Sequence, residues 1–187
     1  MGLSAATFDI ETTSLNADFG VLLCAVIKPS YPNSKAVVLR ADKLNKNWKT
    51  KRSDDRAIVK RVAEELQKYD VVCAHNGTYF DLPFIRTRMA RWGLGCLPQI
   101  KILDPCHLAR NKLKMSFNSL ERLADFLGFN TKTTVDGDLW IRAGLDGDKK
   151  AMDYICAHCE ADVLMLEKLV DHLKGYSKVL NSWGSGR

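Results

Sequence analysis

Thr7-Phe8-Asp9-Ile10-Glu11-Thr12-Thr13 is the stretch from which the rest of the chain takes its order. Residues 5–10 form a short, mostly apolar run with a β-branched Thr7, the pattern of a buried strand. Asp9 and Glu11 interrupt its end. Side chains two positions apart in a strand leave the same face, so the two carboxylates project together. Like charges in a half-buried place repel and lose hydration, a cost that a hard divalent cation relieves by taking carboxylate oxygens. A strand end reaching solvent would carry the same residues, and Asp-x-Glu is frequent by chance in chains that are about one-quarter charged. The pair therefore acquires meaning only from what the chain supplies elsewhere.

Residues 19–28 (FGVLLCAVIK) and 35–40 predict two further strands around a turn at Pro29, Pro32 and Asn33, and three strands on short links read as an antiparallel meander. Residues 41–52 are polar and basic, a surface connection. Ser53 or Asp54 caps a helix to about Tyr69, with Ile58, Val62, Ala63, Leu66 and Tyr69 as its apolar stripe. Residues 71–75 form a short apolar strand ended by Asn76-Gly77, and strand–helix–strand at this spacing implies parallel pairing. A helix over 80–92 tolerates Pro83 in its first turn and stops at Gly93 and Gly95. A last strand over 100–103 closes at Asp104-Pro105. Ser116 or Asn118 caps an amphipathic helix to Leu127, residues 131–147 form a loop, and Asp148 opens a long helix to about Leu173. The stripe of that helix is Ile155, Cys159, Val163, Leu166, Val170 and Leu173. The expected fold is α/β: a mixed sheet, antiparallel in its first three strands and parallel afterwards, flanked by helices. One domain is expected over residues 1–175, followed by a disordered tail at 176–187.

The 187 residues, 46% apolar and 27% charged, suit a soluble domain with a full core, and no apolar run approaches the roughly 18 residues of a membrane span. The N-terminus lacks the pattern of a signal peptide, so a cytoplasmic protein without membrane contact is expected. Six cysteines then read as reduced core residues; Cys156-x-x-Cys159 lies within a helical pattern with no second such pair, which disfavours structural zinc. Net charge is +6, and between Arg40 and Arg61 nine Lys/Arg face three Asp. Further basic groups are Arg86, Arg88 and Arg91, then Arg110, Lys112 and Lys114. Such clustering favours a polyanionic partner, nucleic acid first among them.

Three more residues give the first pair its company. Asp81 falls at a helix start just after a strand, where an acid also serves the helix dipole. Asp162 borders the apolar stripe of the long helix, an unusual place for an unpaired Asp. His158 precedes it by four residues and shares its face. Four acids and one base match what phosphodiester hydrolysis by two metal ions requires: bridging carboxylates, and a neutral imidazole able to take a proton from the attacking water.

The segments FDIETTSL, HNGTYFDLPFI and YICAHCEADVLMLEKL resemble, in order, the three motifs of the DEDD 3′–5′ exonuclease superfamily, and ILDPCHLAR and DGDLW resemble its linking segments. The resemblance spans residues 5–173 and implies an RNase H-like fold. It implies a 3′–5′ exonuclease that uses two Mg²⁺ or Mn²⁺ ions and releases nucleoside 5′-monophosphates from the 3′ end of single-stranded or frayed DNA, or of RNA. By the same resemblance Asp9, Glu11, Asp81 and Asp162 are metal ligands, His158 is the general base, and Thr12, Leu15, Asn76 and Phe80 contact the substrate. The chain departs from the pattern in two places. The superfamily has a branch with Tyr four residues before the last Asp and a branch with His five before it; here His158 stands at the four-residue spacing and Ala157 at the five-residue one. The chain is thus nearest the Tyr branch with His in the Tyr position, and Tyr154, one turn back, is the alternative residue to orient water. Ser14 stands where relatives often have Gly. A ribonuclease of the same architecture, a structure-selective endonuclease, and a non-catalytic nucleic-acid-binding or polymerase-associated module are the rival readings.

Overall fold

The computed structural model describes residues 3–129 and 136–176. Five strands form one sheet in the order β3-β2-β1-β4-β5, with β1 (Ala5–Thr12) in the middle. β2 (Leu22–Pro29) and β3 (Val37–Arg40) add antiparallel on one side; β4 (Val71–Cys73) and β5 (Lys101–Leu103) add parallel on the other. This is the mixed α/β sheet expected from the hydrophobic pattern. β2 is buried along nearly its whole length, as a strand covered on both faces must be. It begins at Leu22 rather than at Phe19, which is 68% exposed.

β4 reaches only as far as Thr7 of β1, through Ala5↔Val71, Ala6↔Val72 and Thr7↔Cys73. On the other side β1 stays paired with β2 to its end, Asp9 opposite Val26 and Glu11 opposite Cys24, with a register shift between Glu11 and Thr12. The carboxyl end of β1 therefore projects past its parallel neighbour. Crevices in α/β sheets open at such places.

Two helices pack on the sheet between β3 and β5: α2 (Arg56–Leu66), burying Ile58, Val59, Val62, Ala63 and Leu66, and α3 (Asp81–Trp92), closed by Gly93 in the left-handed conformation at φ 61°. Gly93 has that conformation at little cost because it lacks a Cβ. The long α7 (Lys149–Leu173) runs against β1 and β2 and buries every residue of its expected stripe. Asp148 caps it, its Oδ1 accepting from the amides of Lys150 and Ala151 at 2.8 and 3.1 Å. A second cluster joins the far half of α7, from Leu166 to Leu173, to β4, β5, Ala109 and Leu123.

Several local expectations are corrected. Residues 41–52 contain a short helix, α1 (Ala41–Leu44), and a turn anchored by the buried Trp48. Neither Ser53 nor Asp54 caps α2. The residue at its start is Asp55, fully buried, whose carboxylate is committed elsewhere: it accepts from Arg88 Nε and Nη2 at 2.9 and 2.8 Å, Trp92 Nε1 at 2.6 Å and the Leu22 amide at 2.9 Å. Arg88 is accordingly an interior residue, 2% exposed, and leaves the surface basic group to which its charge assigned it. Asp104-Pro105 opens a helix instead of ending a strand: α4 (Pro105–Lys112), with Asp104 accepting from the amides of Cys106 and His107 and Pro105 at the first position, where a missing N–H costs nothing. Ser119, not Ser116 or Asn118, caps α5 (Leu120–Phe126). The 131–147 segment, described from Asp136 onward, holds α6 (Asp138–Ile141) and a π-turn (Arg142–Asp146). The tail expected at 176–187 lies outside the described residues apart from Tyr176, which is in a 3₁₀ turn.

Candidate active site

The strand period puts Asp9 and Glu11 on one face of β1, opposite Phe8 and Ile10, which are buried in the core. α7 crosses that acidic face. Cys159 of α7 donates its S–H to the Asp9 carbonyl at 3.4 Å, and His158 and Asp162 are carried beside Glu11. One ligand atom each from Glu11, His158 and Asp162 lies within 4.8 Å of the others, as does one each from Asp9, Glu11 and Cys159. His158 Nε2 is 3.6 Å from Asp162 Oδ2, as an i, i+4 pair on one helical face requires. Asp81 enters from the first turn of α3. It is 1% exposed, its Oδ1 has no hydrogen-bond partner, and its charge acts on Asp9. The structure thus gathers Asp9, Glu11, Asp81, His158 and Asp162 at the open end of β1.

The electrostatics of the cluster are strongly adverse to four ionised acids. Burial, then the charges of Asp81, Glu11 and Asp162, hold the Asp9 carboxyl well above the usual carboxylate range. Burial pushes Asp81 up to about 8, against partial relief from backbone amides, with Asp104 and Glu11 adding to the rise. Glu11 is pushed up to about 7, mainly by burial, with the hydrogen bond from Trp140 working the other way and Asp162 adding to the rise. Asp162 is also raised by burial, and His158 lowers it again. No Lys or Arg among the described residues pairs with any of the four. A divalent cation would supply the missing positive charge, and the donor set of hard oxygens with a partnerless buried Asp81 Oδ1 fits Mg²⁺ or Mn²⁺.

Sequence reasoning noticed Trp140 but gave it no role. Its indole Nε1 donates to Glu11 Oε2 at 2.6 Å, and its ring meets His158 edge-on at 5.8 Å between centroids. The 129 residues between the two partners hide this contact from any local pattern. The segment bearing Trp140 is seated by Gly144, where a Cβ would run into Thr13 Cγ2. Tyr154 stacks on His158, 6.5 Å between centroids and 5° between planes, one helical turn further from Asp162. Asp104 is a second residue without an expected role. Besides capping α4, it accepts from the amides of Asn76 at 2.8 Å and Thr78 at 3.2 Å, and so fixes the turn that delivers Asp81. Its Asp-Pro signature at a helix start was the available signal.

The expected substrate contacts divide between two places. Thr12, Leu15 and Phe80 line, with Glu11 and Trp140, a cleft of about 280 Å³ at the end of β1. Asn76, in the left-handed conformation at φ 60°, lines a different cleft of about 590 Å³ with His75 and the α4–α5 connection.

A family model described as the RNase H superfamily matches residues 6–174. No curated protein is similar in sequence. Among solved structures, a family B DNA polymerase from the hyperthermophilic archaeon Pyrobaculum calidifontis superposes with a TM-score of 0.72 at 18% identity. The match covers 92% of this chain and 25% of the polymerase, a likeness of fold between this chain and one quarter of a larger protein. No helix among the described residues is long and apolar enough to cross a membrane.

Proposed function

Since the chain belongs to the RNase H superfamily, we propose that it is a two-metal-ion-dependent 3′–5′ exonuclease of DNA, using Mg²⁺ or Mn²⁺ and releasing nucleoside 5′-monophosphates. The observation that carries this reading is the convergence of four carboxylates, three raised by one another's charge as well as by burial, with no Lys or Arg of the described residues to balance them. Asp9, Glu11, Asp81 and Asp162 would hold the ions. Bound there, the ions supply Lewis acidity at the scissile phosphate and stabilise charge on the attacking and leaving oxygens.

The chain's own residues supply the rest. His158 Nε2 stands among the carboxylates, and a neutral imidazole there takes the proton of the attacking water. Asp162 keeps the ring turned toward the cluster. Trp140 holds one Glu11 oxygen and so fixes the direction of the other. The cleft bounded by Thr12, Leu15, Phe80 and Trp140 is of a size to take one nucleoside, which suits a chain terminus better than the middle of a strand. The superposed polymerase suggests a DNA substrate by analogy of fold alone.

Strands of DNA and RNA labelled at the 5′ end, incubated with Mg²⁺, Mn²⁺ or EDTA and resolved on a gel, test the reading. A ladder of 3′-shortened products that requires the metal is expected, and the DNA and RNA arms report sugar preference. A single internal cut would make the protein an endonuclease. Binding without any metal-dependent hydrolysis would make it a non-catalytic module.

A further inference from the structure

We propose that a single-strand track leads from the carboxylate cluster across the α4–α5 connection, and that nucleotides upstream of the scissile bond stack there on Phe117 and Phe126; this rests on the exonuclease reading above. Two adjoining clefts of about 590 and 490 Å³ form the track, sharing Phe117 and Arg122. The first begins at His75 and Asn76, the turn that leads into Asp81. It also includes Glu121, whose charge is felt by Asp162, so this end abuts the cluster. It shares no residue with the smaller cleft at Thr12, Leu15 and Trp140. A strand whose last nucleoside filled the smaller cleft would therefore have its upstream portion free to enter the larger one.

Chemistry selects the occupant. Phe117 and Phe126 are 69% and 70% exposed, unusually open for large rings that have a core within reach. Arg110, Lys114 and Arg122 line the same clefts, and none pairs with a carboxylate among the described residues, although Glu121 and Asp125 also lie on the walls. Protein interfaces concentrate aromatic rings but are depleted of Lys. Open rings interleaved with uncommitted cations are what a single strand needs, its bases stacking while its phosphates meet the charges. His75 Nδ1 and Asn118 Oδ1, withdrawn from solvent without partners, add hydrogen-bonding capacity along the first wall.

The test separates the track from the reaction centre. Fluorescence anisotropy in Ca²⁺ would give the affinity of the intact chain for labelled oligothymidylates of two to eight nucleotides. Hydrolysis of the p-nitrophenyl ester of thymidine 5′-monophosphate in Mn²⁺ would report the centre alone. Affinity should rise with length over the first several nucleotides. Phe117→Ala with Phe126→Ala should cost about tenfold in affinity per ring and flatten the length dependence, while hydrolysis of the ester is unchanged. Arg110→Gln with Arg122→Gln should weaken the longer oligonucleotides and lower the salt slope by about two. Wild-type affinity and length dependence in the double Phe variant would overturn the track, as would an equal loss on the ester. A wild-type chain that hydrolyses neither strand nor ester refutes the exonuclease reading; length-dependent binding in Ca²⁺ still decides the track.

Discussion

Asp81→Asn should stabilise the metal-free protein, and the size of the effect follows from where the side chain sits. An acid whose pKa is raised on folding binds its proton more tightly in the native state. Its contribution to stability is fully present below the unfolded pKa and is lost as pH rises through the folded one. For Asp81 these limits are its ordinary value of 3.8 and about 8. At pH 7 the native state has therefore forfeited about 4 kcal/mol relative to a side chain that cannot ionise. Asn keeps the volume of Asp, removes the charge that acts on Asp9, and titrates nowhere in this range. At about 2–4 °C per kcal/mol for a domain of this size, the variant in EDTA should melt roughly 10 °C above wild type at pH 8 and close to it at pH 4. Mg²⁺ should raise the wild-type melting temperature at pH 8 far more than that of the variant. Differential scanning fluorimetry across pH, with EDTA or Mg²⁺, measures all of this. A wild-type melting temperature that is flat between pH 5 and 8 in EDTA, or a variant no more stable than wild type at pH 8, would refute the reasoning.

Asp9→Asn and Asp162→Asn should abolish hydrolysis with the circular dichroism spectrum intact; wild-type turnover in either at saturating Mn²⁺ removes that residue from the ligand set. His158→Ala should lower kcat by about 10²–10⁴-fold with half-maximal metal concentration little changed, whereas Tyr154→Phe should keep most of the rate; the reverse pattern, measured in the same assay, assigns the water to Tyr154. Trp140→Phe keeps a ring beside His158 but frees Glu11 Oε2, so Glu11 should hold its proton to higher pH and the metal requirement at pH 7 should rise about tenfold, which a Mg²⁺ titration at pH 7 and 8.5 reads directly. Asp55→Ala strands the buried Arg88 guanidinium and should cost about 3–5 kcal/mol, while Asp55→Leu with Arg88→Met should recover much of it; urea denaturation distinguishes the two.

What could be read from the sequence was whatever repeats with the period of its own element. Ile155, Cys159, Val163, Leu166, Val170 and Leu173 announce α7 because its buried face recurs every three or four residues, and all six are buried. Asp9 and Glu11 announce a shared face because strands alternate. The antiparallel-then-parallel order followed from link lengths alone. What escaped was decided by partners far away in sequence. Arg88 reads as a surface cation until Asp55, 33 positions earlier, is seen to meet it in the interior. Asp54 and Ser53 are good caps by type, but the Asp55 carboxylate reaches across to α3, so the start of α2 is set by tertiary bonding and not by a local cap. Trp140 could be located only in the neighbourhood of the acids; its bond to Glu11 depends on Gly144 letting that segment press on Thr13. α4 was missed for a different reason: Asp-Pro is both a turn signal and a helix start, and without the amides of Cys106 and His107 in view the two are equivalent.

The shortness of β4 also limits how this chain can vary. Three residues of β4 pair with β1, and the next five positions of β1 have no strand beside them. Into that opening comes Asp81, close enough to draw on the amide of Ile10. Lengthening β4 by two residues would zip its backbone along Phe8 and Asp9 and displace the side chain that now fills the place. Insertions in the 74–80 turn are therefore forbidden in a way that insertions in the 30–36 turn, at the far rim of the sheet, are not. Among descendants of this chain, length polymorphism should accumulate between β2 and β3 and be absent between β4 and α3, whatever happens to the identities of the intervening residues.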